Sequence, residues 1–180
     1  MRVAIYGGSF NPVHSGHVGV ARKALASLAL DRIFIVPAFL SPFKTAPSGD
    51  AVSFSPAERL ELVRLAFADV PRASIDTREL DRGGVSYAID TVRAVRRELE
   101  GGLAAGDELK LYFLVGEDSV AGLPRWREYD ELVKLCEFVA FPRTPESSTE
   151  IRRRLAHGES VSDLVPRSVA PALGTMMGNR

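Results

Sequence analysis

Arg2-Val3-Ala4-Ile5-Tyr6-Gly7-Gly8-Ser9-Phe10-Asn11-Pro12-Val13-His14-Ser15-Gly16-His17 carries a strand, a sharp turn and the start of a helix in sixteen residues. Arg2 to Tyr6 reads as a buried parallel strand. Gly7 and Gly8 let the chain reverse tightly and let backbone N–H groups approach a ligand. Gly16-His17 opens a helical stretch, Val18 to Leu28, whose first amides lack intrahelical partners and attract anions. His14 and His17 flank that helix start, and the chain has only three histidines in all. A glycine turn, a helix N-terminus and two imidazoles form a loop suited to phosphate.

Composition narrows the classes of function. At 180 residues the chain is most economically one domain, residues 1–180, with room for a substantial core. Lysine plus arginine equals aspartate plus glutamate at 23 each, so no global field favours nucleic acid or an anionic membrane. A polyanionic ligand must therefore be held by local arrangement. The single cysteine, Cys136, excludes an internal disulfide and a multi-cysteine metal site, and its apolar setting predicts a buried thiol. No apolar run is long enough for a bilayer and no signal-peptide pattern precedes the first strand, so a cytoplasmic location is expected.

Strand and helix signals alternate along the chain, predicting an α/β fold with a doubly wound, mostly parallel sheet. Further strands are expected at Arg32–Pro37, Ala73–Ile75, Leu109–Val115 and Glu137–Phe141. Ser55-Pro56-Ala57-Glu58 carries a capping box with proline at the first helical position; its helix should present Leu60, Val63 and Phe67 on one face and end near Ala68. Helices are expected at Tyr87–Leu99 and Asp130–Leu135. A second capping box, Ser147-Ser148-Thr149-Glu150, should open a basic helix that Gly158 stops. A terminal helix should begin at Val165-Pro166, with Met176 to Arg180 fraying. In such sheets ligands bind beyond the carboxyl ends of the strands. The segments Gly7–His17, Ala38–Lys44, Arg78–Tyr87, Gly116–Trp126 and Ser147–Arg152 all fall there.

The His-x-Gly-His loop after a first strand resembles the nucleotidyltransferase superfamily, whose members transfer a nucleotide from a nucleoside triphosphate to an acceptor. Ser147-Ser148-Thr149-Glu150-Ile151-Arg152 resembles the second motif of its adenylyltransferase branch. Asp76 to Thr91, Gly116-Glu117-Asp118-Ser119, Leu123-Pro124-Arg125-Trp126 and Leu164-Val165-Pro166 are similar to bacterial nicotinate-nucleotide adenylyltransferases, almost end to end. The resemblance implies a Rossmann-like nucleotidyltransferase fold and catalytic roles for His14, His17 and Arg152. It places Gly7, Gly8, Ser9, Phe10, Gly16, Gly116, Asp118, Ser147, Ser148 and Thr149 around ATP, with Asp118 on ribose hydroxyls. Lys44, Ser86, Tyr87, Ala88 and Trp126 would meet the acceptor, with Trp126 stacked on a pyridine ring and Lys44 on phosphate. Mg²⁺ would enter mainly through the phosphates of ATP, with no dedicated protein cage.

Three departures from the family pattern stand out. Phe43 replaces a histidine, Ala88 replaces a threonine, and only Arg143 to Glu146 separates the fifth strand segment from Ser147, where the family commonly places a helix and another strand. The expected function is adenylyl transfer from ATP to nicotinate mononucleotide, a step of NAD biosynthesis, without nucleic-acid or membrane partners and with homo-oligomerisation left open. Alternatives are another phosphomonoester acceptor (nicotinamide mononucleotide or phosphopantetheine) or a degenerate nucleotide-binding homologue without turnover.

Overall fold

A computed structural model describes residues 1–43, 52–104 and 106–179. Its centre is a five-stranded parallel sheet of order β3-β2-β1-β4-β5, built from β1 (Arg2–Gly8), β2 (Arg32–Pro37), β3 (Ala73–Ile75), β4 (Lys110–Gly116) and β5 (Glu137–Phe141). Seven helices are described: α1 (Ser15–Ser27), α2 (Pro56–Phe67), α3 (Arg78–Arg82), α4 (Ala88–Glu100), α5 (Tyr129–Leu135), α6 (Ser148–Ala156) and α7 (Ala170–Gly178), with a 3-10 segment over Glu117–Arg125.

Side chains of β1 alternate between two cores, as the two-residue period of a strand requires. Ala4 joins the core that α1, α2, α6 and α7 cover through Ala21, Leu62, Ile151 and Leu173. Val3 and Ile5 join the opposite core, closed by Ile89, Val92 and Val95 of α4 and Leu132 of α5. The chain winds outward from β1 through β2 to β3, then crosses back to β4 on the other side of β1. The crevice at that reversal, beyond the carboxyl ends of β1 and β4, is where this topology places ligands.

Most expected elements occur within one or two residues, and β2, β3 and β5 match at both ends. The first helix begins at Ser15, earlier than Val18, because His14 serves as its N-cap. The apolar stripe of α2 differs: its buried residues are Arg59, Leu62, Val63, Ala66 and Phe67, while Leu60 is half-buried. Ser147 caps α6 by accepting from the Glu150 N–H at 3.1 Å, but the reciprocal half of a capping box is absent. The Glu150 carboxylate is instead taken by Arg153 and Arg154, one turn along, which hold it down at about 2. The terminal helix starts at Ala170 rather than Val165, since residues 166–169 form a turn closed by Val169 N–H on Pro166 O, and it stays helical through Gly178. Arg78–Arg82 and Glu117–Arg125 are helical where no element was assigned from the sequence.

Candidate functional site

Two cavities adjoin at the carboxyl ends of β1 and β4. The larger, about 620 Å³, is lined by Gly7, Gly8 and Ser9 on one side and by Ser86, Tyr87, Ala88 and Trp126 on the other. The smaller, about 270 Å³, brings together His14, Gly16, His17, Gly116, Asp118, Ser147, Ser148 and Thr149. Tyr6 and Asp118 face the smaller cavity while their chain neighbours Gly7 and Ser119 face the larger.

The small cavity is built from two helix N-termini. His14 is N-cap of α1 and His17 its third residue. The His14 amide donates to His17 Nδ1 at 3.1 Å, and the two rings lie with centroids 3.6 Å apart. The His14 ring faces the start of α1 in the manner of a capping box, yet its buried Nδ1 makes no hydrogen bond. Burial holds the His14 imidazole down at about 4, against a smaller opposing pull from Glu146, so it is neutral at pH 7. Of the first amides of α1, that of Ser15 is taken by Leu164 O at 3.0 Å, which docks the C-terminal segment beside the loop.

From the other helix, Ser148 Oγ donates to Pro12 O at 2.9 Å and Arg152 Nη1 donates to Asn11 O at 2.7 Å. Two segments separated by most of the chain are thus fastened together at the first loop. Three consecutive arginines differ sharply here. Arg153 pairs with Glu150 and Glu159, and Arg154 with Glu150 and Asp163. Among the described residues Arg152 has no carboxylate partner; its second contact is Thr149 Oγ1 at 3.3 Å. It is the one cation of the run whose charge remains available to a ligand.

The short connection after β5 closes over this site. A Cβ on Gly16 would lie 2.0 Å from Thr144 Oγ1 and 2.9 Å from Glu146 Oε2, so only glycine fits beneath it. Thr144 and Glu146 therefore line the small cavity, a role the sequence did not disclose.

In the larger cavity Trp126 stands edge-on to Phe113 and Phe138 at 5.6 and 5.8 Å, and faces Phe43 at 6.0 Å with planes 27° apart. Tyr87 is N-cap of α4 with no side-chain cap, and it lines the cavity together with Ala88, the first residue of that helix. Arg125 and Arg127 also line it. Ser86 is buried, and its hydroxyl accepts from Phe39 N–H at 3.0 Å while facing Glu79. Its side chain thus ties this segment to the loop after β2 at the edge of the cavity.

Some of the expected site residues sit apart from the small cavity. Gly7, Gly8 and Ser9 were grouped with ATP but border the cavity with the aromatic wall. Phe10 is 2% exposed and packs on Tyr6, His17 and Phe67, so its ring belongs to the core, and a Cβ on Gly8 would press on that ring at 3.1 Å. Lys44 lies outside the described residues. Buried Arg59 and Glu79 escaped the sequence reading. A charge standing in the apolar stripe of α2 was the available signal for Arg59.

A profile of the cytidylyltransferase-like family matches residues 5–154. The chain belongs to that family. It is 36% identical to a protein of Gemmatimonas aurantiaca over 94% of this chain and 88% of the relative, and 39% identical to one of Thermus thermophilus over 94% of each. Both relatives carry the name "Probable nicotinate-nucleotide adenylyltransferase". The alignment with the Thermus protein spans 189 residues, more than the 180 of this chain, so the relative holds positions absent here. The crystal structure of a nicotinate-nucleotide adenylyltransferase candidate from Vibrio parahaemolyticus superposes with a TM-score of 0.76 at 18% identity, covering 96% of this chain and 97% of its own, and shares the fold. As a member of the cytidylyltransferase-like family, the chain is a nucleotidyltransferase with the Rossmann-like sheet of that group. Among the described residues no helix is long and apolar enough to cross a membrane.

Proposed function

We propose that the chain transfers the adenylyl group of ATP to nicotinate mononucleotide, releasing pyrophosphate and forming nicotinic acid adenine dinucleotide. The observation that carries this reading is the adjacency of two unlike cavities at the ends of β1 and β4. One offers helix N-termini and imidazoles, with Arg152 held beside it on Asn11 O and Thr149, suited to a triphosphate; the other offers an aromatic wall beside helix amides, suited to a ring bearing a carboxylate.

A phosphate monoester is already nucleophilic near neutral pH, so the reaction needs alignment and charge stabilisation more than a base. The triphosphate lies in the small cavity, where the Gly16 amide of α1, the Ser148 and Thr149 amides of α6 and the Nε2–H of His17 donate to its oxygens. Arg152 takes the β- and γ-phosphates, supported by Thr149 and Ser148. Gly116 and Asp118 border the ribose. The acceptor enters the larger cavity with its ring on Trp126 and its carboxylate at the first-turn amides of α4, near Tyr87 and Ala88. Its phosphate reaches the edge formed by Gly7, Gly8 and Ser9, where the cavities adjoin. The α-phosphate then transfers in line as pyrophosphate leaves.

The donor set suits Mg²⁺ brought by ATP. The described residues hold no cluster of three metal-ligating side chains, but the carboxylates of Asp118 and Glu146 line the cavity beside the phosphate donors. Such an ion would neutralise charge developing on the phosphate oxygens.

Incubating the protein with ATP, Mg²⁺ and a panel of nicotinate mononucleotide, nicotinamide mononucleotide and phosphopantetheine, with pyrophosphate release as readout, tests the reading. Fastest turnover is expected with the nicotinate. Turnover of another acceptor alone would reassign the larger cavity, and none at all would make the chain a nucleotide-binding homologue.

A further inference from the structure

Arg59 is 5% exposed, at the start of the α2 stripe that packs into the core. Its Nη1 donates to Ser9 O and to Ala38 O, each at 2.7 Å, and its Nη2 donates to Phe39 O at 3.1 Å. These carbonyls belong to the loops leaving β1 and β2, and Ser9 and Ala38 both line the larger cavity. Three of the five guanidinium N–H groups are thus hydrogen-bonded, but among the described residues no carboxylate neutralises the charge. Glu79, the buried carboxylate nearby in the fold, does not do so: it receives the Thr91 hydroxyl and faces Ser86. Taking a cation out of water without a counter-ion is costly, and three carbonyl dipoles offset only part of that cost.

We propose that Arg59 is a positioning residue for the acceptor, its unpaired buried charge completed electrostatically by the acceptor phosphate that lands on the Gly7–Ser9 edge. The inference rests on the function proposed above. Arg59 does not touch the ligand. It fixes the Ser9 and Ala38 carbonyls away from the cavity, so that they do not confront the incoming anion, and it supplies a fixed positive field behind the loop. An interaction across a thin layer of protein is weakly screened, so the charge remains felt at the phosphate.

Isothermal titration of the full chain with nicotinate mononucleotide and with nicotinate ribonucleoside, which lacks only the phosphate, reads this effect directly. In Arg59→Met the preference for the mononucleotide over the nucleoside should fall roughly tenfold or more, with nucleoside affinity nearly unchanged. Arg59→Lys, which restores charge with a different donor geometry, should recover part of the preference. Unchanged preference, or equal weakening of both ligands, would reduce Arg59 to a loop tie and overturn the proposal. Should Arg59→Met not fold, Arg59→Lys against Arg59→Gln gives the same comparison through ligand-induced shifts in Tm. A wild-type chain that binds neither pyridine ligand overturns the acceptor reading and this inference with it. Wild-type selectivity that survives neutralisation of Arg59 overturns the inference alone.

Discussion

His14 donates its backbone N–H to Nδ1 of His17 at 3.1 Å, and this single bond settles which His17 nitrogen can act on a ligand. A ring nitrogen that accepts a hydrogen bond carries no proton, so in the neutral imidazole the proton sits on Nε2. The helix cap thereby fixes the tautomer, and His17 can donate without being charged.

Removing that donor should cost transition-state stabilisation rather than folding. His17→Ala is expected to lower kcat by about 10² or more, the scale for losing one preorganised charge-stabilising donor. Steady-state kinetics on a variant with an unchanged circular dichroism spectrum checks it; turnover within a few-fold of wild type would remove His17 from the chemistry.

His14 leaves a different signature, in stability. Its imidazole is held at about 4 by burial, below the 6.5 of an unburied histidine. As pH falls, the unfolded chain takes up this proton first, so stability is lost between about pH 6.5 and 4 and is unaffected above that window. The loss amounts to about 3 kcal/mol at most, at about 1.4 kcal/mol per unit. Urea unfolding of wild type and His14→Gln at pH 7 and pH 5 should show the variant less sensitive to acid. Parallel pH dependence in the two proteins would contradict the assignment.

Arg152 and Arg154 provide a matched pair of substitutions two residues apart. Arg152→Ala should weaken productive ATP binding by roughly 1.5–3 kcal/mol, as for a lost charge-assisted hydrogen bond to phosphate. Arg152→Lys should recover part of it. Arg154→Ala should leave ATP kinetics near wild type, because its charge is already spent on Glu150 and Asp163. Equal ATP defects in the two alanine variants would mean that the helix acts only through its net charge.

The frame of the protein was legible in its residues because it is written in local terms. Runs such as Ile33–Val36 are apolar throughout, and Ser55-Pro56-Ala57-Glu58 states its own helix start, with the Ser55–Glu58 box present as expected. The loop carrying His14 and His17 was legible because spacing alone puts both at one helix end. What escaped depends on residues far apart in sequence. Arg59 is a surface residue by type and becomes a core one only because the carbonyls of Ser9 and Ala38 receive it. The Ser147 capping box failed on its second half because Arg153 and Arg154 outcompete a backbone amide for Glu150. Phe10 looked like part of the ligand loop, yet its ring turns into the core against Phe67.

Acceptor choice should follow the larger cavity. Donors arranged for a carboxylate are not repaid by a neutral amide, so nicotinate mononucleotide should exceed nicotinamide mononucleotide by about ten- to a hundred-fold in kcat/KM. Trp126→Ala should raise the KM for the mononucleotide far more than that for ATP, measured alongside a melting curve. Equal turnover of the two mononucleotides would discard the carboxylate assignment and leave adenylyl transfer standing.

The contact between Gly16 and Thr144 ties two regions that lie on opposite sides of the sequence into one heritable unit. With Thr144 Oγ1 set where a Cβ of residue 16 would be, the short connection after β5 is tolerable only while position 16 stays glycine. Drift at either place is therefore conditional on the other. Gly16→Ala should be harmful in this chain and milder in a chimera given a relative's longer connection, so a double-mutant cycle between a point substitution and a loop graft should be strongly non-additive.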